Sequence, residues 1–263
     1  MSRFSIILFM FLAMVSSPLY ATISGELVTY KAGDTNLVGY IVYDKAFQGK
    51  RPAVIVVPDW WGHSNFARDR ADALTKLGYT AMVMDMYGDG KYVGFPETKV
   101  QMKLFTADPK TMEVRFDAAY QTLIKHETVD SNHVAAIGYS LGGLVVLEMA
   151  RRGRDLDGVA CIWGVVKKTD NPARKGFVKA KVLVQQPEDD GWAPMEEVNK
   201  MKKEMAAAGV EIKIIVYPGT KHGFSRPDAT TRAEKYDLPL RYNDKAAKQS
   251  WNDLSEFLKT AFK

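Results

Sequence analysis

Gly138-Tyr139-Ser140-Leu141-Gly142 stands between an apolar run, residues 133–137, and a helical run, residues 144–150. The three pieces read together as strand, sharp turn and helix. The reason is steric: a serine at the tip of a tight strand-to-helix turn has a strained backbone, and glycines two residues to either side let strand and helix pass without Cβ clashes. The hydroxyl then stands above a sheet at a helix N-terminus, where the dipole favours developing negative charge. An ordinary glycine-rich turn with a capping serine carries the same five letters. The rest of the chain has to decide between the two.

Upstream of this turn, residues 26–30 and 37–43 alternate apolar and polar side chains around Ala32-Gly33-Asp34, which predicts an antiparallel hairpin. The grammar then changes. Residues 53–57, 80–84, 131–138, 158–163, 182–186 and 210–217 are short apolar runs of the kind that form strands covered on both faces. Helical stretches at 66–77, 144–150, 195–208 and 244–262 separate or follow them, with a long, partly helical region up to Lys125. In the last helix Ala247, Trp251, Leu254 and Leu258 are spaced to share one face. Strands alternating with helices predict an α/β fold with a mainly parallel, doubly wound sheet of about eight strands and right-handed crossovers. Chemistry in such sheets gathers at the carboxyl ends of the strands. The segment between Trp163 and Lys181 is too short for a helical cap domain.

The length of 263 residues and 46% apolar content suit one large domain, residues 22–263. A net charge of +5 is spread along the chain with no basic stripe interleaved with aromatics, which speaks against nucleic-acid binding. At the N-terminus, Arg3, an apolar stretch over residues 4–15 and Ser16-Ser17-Pro18-Leu19-Tyr20-Ala21 read as a secretory signal peptide, residues 1–21, cleaved after Ala21. That predicts a periplasmic or secreted protein with no stable membrane anchor. The apolar stretch is short for a span, and no cysteine near the cleavage region offers a lipid attachment point. The single cysteine, Cys161, lies in an apolar run and reads as a buried small hydrophobe.

A serine hydroxyl becomes a nucleophile when an imidazole takes its proton, and the imidazole needs an acid to hold its tautomer. His126 and His133 flank the entry to the serine's strand, at the wrong edge of the sheet, and His63 precedes Ser140. His222 follows the strand over residues 210–217 and completes the order nucleophile, acid, base. The acid should come from Glu188-Asp189-Asp190, a carboxylate cluster at the carboxyl end of the strand over residues 182–186. Spacing alone does not choose between Asp189 and Asp190. Two backbone donors must face the developing oxyanion. The amide of Leu141 opens the helix, and the amide of Trp60 lies in the loop after residues 53–57.

Val57-Pro58-Asp59-Trp60-Trp61-Gly62, Gly78-Tyr79, Asp85-Met86-Tyr87-Gly88, Gly138-Tyr139-Ser140-Leu141-Gly142-Gly143, Glu188-Asp189-Asp190-Gly191-Trp192-Ala193-Pro194 and His222-Gly223-Phe224 together resemble the dienelactone hydrolase (carboxymethylenebutenolidase) family of α/β hydrolases. The resemblance runs over nearly the whole mature chain and implies a hydrolase core without a cap. It also implies that the acid is Asp190, because the family's catalytic aspartate stands four residues before a proline, here Pro194. Asp59 falls where founding members carry a glutamate that interacts with the nucleophile, and Tyr87 near a tyrosine that lines their pocket. The chain departs from them in carrying Ser140 in place of a cysteine, and in the shorter acid at Asp59.

The expectation is a serine hydrolase of small carboxylic esters or lactones, with Ser140, His222 and Asp190 as a triad and Leu141 and Trp60 as oxyanion donors. Asp59, Trp61, Tyr87, Trp192 and Phe224 are candidate substrate-binding residues. No metal or organic cofactor is implied. A thioesterase or acyltransferase would use the same triad, and a catalytically silent binding protein could keep the same fold.

Overall fold

The computed structural model describes residues 22–166 and 169–263, so the expected signal peptide, residues 1–21, lies outside the described residues. Strands β1 (Ile23–Ala32) and β2 (Thr35–Asp44) form the antiparallel hairpin, turned at Gly33 with φ 57°. Six more follow: β3 (Arg51–Val57), β4 (Thr80–Val83), β5 (Val129–Tyr139), β6 (Gly158–Ile162), β7 (Lys181–Asp189) and β8 (Ile212–Lys221). They make one eight-stranded sheet in the order β1-β2-β4-β3-β5-β6-β7-β8. Pairing is antiparallel from β1 to β2 and from β2 to β4, and parallel everywhere else. This is an α/β-hydrolase architecture.

The strand order reverses at β3. From it the chain steps outward to β4 on one side and then back past it to β5 on the other, which opens a crevice between the loops after β3 and β5. Those loops carry Asp59-Trp60 and Ser140 respectively. The crevice is where the sequence concentrates its unusual residues.

Among the described residues seven helices flank the sheet: α1 (Asn65–Thr75), α2 (Glu97–Ala107), α3 (Pro109–Leu123), α4 (Leu141–Arg151), α5 (Met195–Ala207), α6 (Ala229–Tyr236) and α7 (Asp244–Ala261). Period-two alternation divides β3 between two cores. Ala53, Ile55 and Val57 pack with the apolar residues of α3, α4 and α5, while Val54 and Val56 pack with those of α1 and α7. All eleven residues of α4 are buried. Its sequence therefore reads as an apolar block without an amphipathic stripe.

Three details differ from the sequence reading. Strand β8 continues beyond Tyr217 through Pro218-Gly219-Thr220-Lys221, so His222 follows the strand directly. Helix α6 was not expected because only Ala229 of its eight residues is buried, which leaves no apolar period to detect. In α7 the buried face runs through Ala246, Ser250, Leu254 and Leu258, with Ala247 and Trp251 at its margin. A polar pair shifts it: the Ser250 hydroxyl donates to Gln185 Oε1 at 2.5 Å, and Gln185 Nε2 donates to the Ser250 carbonyl at 2.8 Å.

The turn at Ser140 depends on its flanking glycines. A Cβ on Gly138 would lie 2.0 Å from the Gly142 carbonyl oxygen, and one on Gly142 would lie 2.1 Å from that of Val57. Both neighbours are backbone and cannot swing aside. Gly138→Ala is expected to destabilise the protein by about 2–3 kcal/mol, read as a lowered thermal midpoint; an unchanged midpoint would show that the turn has slack.

Candidate active site

Ser140 sits at φ 52°, ψ −113°, a left-handed backbone that is strained for any residue with a Cβ. Hydrogen bonds hold it there from three directions. Its amide donates to the Ile162 carbonyl at 3.2 Å, and its carbonyl accepts from the amides of Gly143 at 2.9 Å and Val165 at 3.0 Å. The side chain is thereby turned off the end of β5 toward the loop after β8.

There Ser140 Oγ meets His222 Nε2 at 2.8 Å, and His222 Nδ1 meets Asp190 Oδ2 at 2.8 Å. All three residues are buried. The other carboxylate oxygen of Asp190 accepts from the amides of Trp192 at 2.9 Å and Ala193 at 3.2 Å. With the carboxylate fixed as an acceptor, His222 Nδ1 carries the proton and Nε2 is left to accept from the serine hydroxyl. Edge-on contacts from Trp163 and Trp192, with ring centroids 5.2 and 4.6 Å from the imidazole, hold its plane.

The neighbouring acids are occupied elsewhere. Asp189 points outward to Lys221 at 3.5 Å, and Glu188 Oε2 accepts from the Gly219 amide at 2.8 Å. Of the three adjacent carboxylates, Asp190 is the one brought to His222.

The two candidate oxyanion donors, Trp60 and Leu141, both border a cleft of about 850 Å³ that Ser140 also lines. As the first residue of α4, Leu141 has an amide with no intrahelical partner. The loop carrying Trp60 is tied down on both sides. The Trp60 carbonyl accepts from the Tyr87 hydroxyl at 3.0 Å, and Asp59 Oδ1 accepts from the Trp61 amide at 3.0 Å. Tyr87 is itself positioned by Asp85, whose carboxylate accepts from the amides of Val38, Tyr87, Gly88 and Gly90 at 2.7–3.0 Å.

The expected pocket residues divide accordingly. Asp59, Trp61 and Trp192 border a small void beside Ser140, and Trp192 also walls the larger cleft. Tyr87 and Phe224 border neither. The ring of Tyr87 packs edge-on to Phe105 at 6.0 Å, and Phe224 is fully buried against Tyr217 at 5.0 Å. Tyr87 therefore acts on the site through Trp60, and Phe224 belongs to the core beneath it.

Several residues at the site were not singled out by sequence. Arg226 is the most consequential: its Nη1 donates to Asp59 Oδ2 at 2.7 Å, with both side chains at least 96% buried. Its Nε donates to Asp228 at 2.6 Å, and Arg232, which also holds Asp228, lies over the Trp61 ring at 4.0 Å. Asp59 thus anchors the loop after β3 to the loop after β8. Arg226 follows His222-Gly223-Phe224 closely, which is a usable signal, but its partner is 167 residues away. The apolar run over residues 158–163 predicts a strand that includes Trp163. The Trp163 φ of 36° instead turns it out of β6 and under His222, and its indole donates to Ser225 Oγ at 2.7 Å.

Burial pushes the Cys161 thiol up to about 12, so the cysteine is a core residue and not a nucleophile. Among the described residues no group of three or more His, Cys, Asp or Glu side chains is disposed to hold a metal ion.

A family model for the dienelactone hydrolase family matches residues 37–262. The chain belongs to the dienelactone hydrolase family. The match begins at β2 and ends in the turn after α7, so it includes every strand and loop of the site just described. Protein usf of Aquifex pyrophilus is 27% identical over 242 residues, covering 89% of this chain and 98% of that protein. An Aquifex aeolicus protein provisionally named a carboxymethylenebutenolidase is 24% identical over 246 residues, covering 91% of this chain and all of that one. Among solved structures, a dienelactone hydrolase-like promiscuous phosphotriesterase from metagenomic libraries superposes with a TM-score of 0.86 at 26% identity, covering 93% of this chain and 100% of that chain. As a member of this family, the protein is a carboxylic ester hydrolase.

The buried Asp59–Arg226 pair yields a stability prediction. Arg226→Gln strands a carboxylate in the interior, which costs about 3–5 kcal/mol. The Asp59→Asn, Arg226→Gln double variant should recover part of that loss. Denaturant melts of the three variants check this, and a double variant no more stable than Arg226→Gln would show that the two charges are not coupled.

Proposed function

We propose that the protein is an exported serine hydrolase that cleaves small carboxylic esters or lactones through an acyl-enzyme. The observation that carries this reading is the unbroken chain from Ser140 Oγ to His222 to Asp190, with both links at 2.8 Å. In the first step His222 Nε2 takes the hydroxyl proton as Ser140 Oγ bonds to the carbonyl carbon. The carbonyl π electrons move to oxygen, and the amides of Leu141 and Trp60 receive the resulting oxyanion. Asp190 stabilises the imidazolium. The intermediate collapses with cleavage of the bond to the leaving oxygen, which takes the proton from His222. Water, deprotonated by His222, then attacks the acyl-enzyme, and the acid departs as Ser140 recovers its proton.

Proximity supplies much of the rate. Nucleophile and base are already in hydrogen-bond contact before any substrate binds. Export rests on the leader-like pattern of residues 1–21.

Labelling with a fluorescent fluorophosphonate tests the nucleophile. The wild type should be labelled, and Ser140→Ala and His222→Ala should not; a folded wild-type protein that resists the probe defeats the proposal. Asp190→Asn is expected to lower kcat about 10³-fold or more, whereas Asp189→Asn should stay within about twofold because its side chain only meets solvent and Lys221. Steady-state kinetics on one ester gives the ranking, and the reverse order would reassign the acid. For export, N-terminal sequencing of protein recovered outside the cytoplasm should begin near Thr22, and an intact Met1 there would refute cleavage.

A further inference from the structure

Two voids meet at Ser140, and they differ in size and chemistry. One measures about 10 Å³ and is lined by Asp59, Trp61, Trp163, Leu240, Arg226 and His222. That is room for roughly one water molecule. The other is the cleft of about 850 Å³, walled by Trp60, Leu141, Val165, Trp192 and Leu238. His222 borders the small void and not the large one. The leaving oxygen must come within hydrogen-bond reach of His222 Nε2 to be protonated. The alcohol therefore has little space, and the acyl group has the cleft.

The cleft is apolar except at one wall. Lys99 and Lys103 lie one turn apart on α2 and both border it. The Lys99 ammonium lies 4.9 Å from the Phe95 ring centroid, and the Phe95 ring lies 6.3 Å from that of Trp60, another cleft residue. Among the described residues no acidic side chain borders the cleft, and neither lysine has a carboxylate within 4.0 Å. Two cations without a carboxylate partner on one helix of an otherwise largely apolar cleft suit a ligand that is apolar near the reacting carbon and carries an anion away from it.

We propose that the cleft selects esters of a small alcohol whose acyl chain is long, apolar and terminated by an anion, with Lys99 and Lys103 as the residues that read the distal charge. Half-esters of dicarboxylic acids are the simplest members of this class. The proposal rests on the serine-hydrolase reading, with His222 protonating the leaving alcohol and the acyl chain passing along Leu141 and Trp192.

Three substrates sharing an eight-carbon acyl chain test it: methyl octanoate, benzyl octanoate and the monomethyl ester of octanedioic acid, followed by acid release. At low salt the half-ester should show a kcat/KM about three- to tenfold above methyl octanoate, the range that two solvent-exposed charge pairs support. The preference should fade as salt approaches about 0.5 M. In Lys99→Gln, Lys103→Gln the ratio of the two esters should fall to about one, and in Lys99→Glu, Lys103→Glu it should drop below one, with thermal midpoints confirming that both variants fold. Benzyl octanoate should be hydrolysed at least about tenfold more slowly than methyl octanoate, reflecting exclusion from a void of this size. A half-ester preference that is missing, indifferent to salt or retained in the glutamate variant overturns the role of the lysines. Equal rates for benzyl and methyl esters overturn the assignment of the small void to the alcohol. If no ester is consumed and the fluorophosphonate does not react, it is the hydrolase reading itself that fails, and this inference falls with it.

Discussion

The left-handed backbone of Ser140 is the constraint on which the rest of the site depends. A residue with a Cβ at φ 52° relaxes unless its surroundings prevent it. Here the Ser140 amide is tied to β6, its carbonyl is tied to the first turn of α4 and to Val165, and the glycines at 138 and 142 bring strand, helix and the β3 backbone too close for side chains. Once that turn is set, the direction of Oγ and the exposure of the Leu141 amide follow together. The proposed nucleophile and one proposed oxyanion donor are consequences of one local geometry.

The other half of the site is assembled by loops that would otherwise be independent. Asp85 gathers four amides and so positions Tyr87, whose hydroxyl fixes the Trp60 carbonyl. On its other side the same loop is held by Asp59, which is paired with Arg226 in a water-poor interior. The charge pair contributes less to net stability than to registration, since an apolar replacement of similar shape can be as stable. What it does is join the loop bearing the Trp60 amide to the loop bearing His222. The geometry of the candidate site is thus maintained by a few long-range polar contacts over an apolar sheet.

Much of this was legible in the sequence because the signals are local. The apolar runs of β3, β5, β6 and β7 are short and continuous because parallel strands are covered on both faces. The turn at Ser140 announces itself through glycine spacing. Ser140, Asp190 and His222 follow the carboxyl ends of β5, β7 and β8, which the topology places at one edge of the sheet. Helix α6 was missed because a polar surface helix leaves no periodic trace, and Tyr87 and Phe224 were placed in the pocket because an aromatic near a motif looks the same whether it lines a cavity or supports its wall.

Local steric and hydrophobic patterns, each within a few residues of chain, disclose the strands, the elbow and the side chains proposed as nucleophile and base. Spacing alone left Asp189 and Asp190 open, the family resemblance pointed to Asp190, and the tertiary structure brings Asp190 to His222, satisfies Asp59 with Arg226 and borders Ser140 with both a water-sized void and a large, mainly apolar cleft. Those outcomes depend on side chains separated by as many as 167 residues meeting in one small volume. Burial then forces each polar group to find a partner. Which partner it finds is settled by three-dimensional packing, and linear spacing carries no record of that choice.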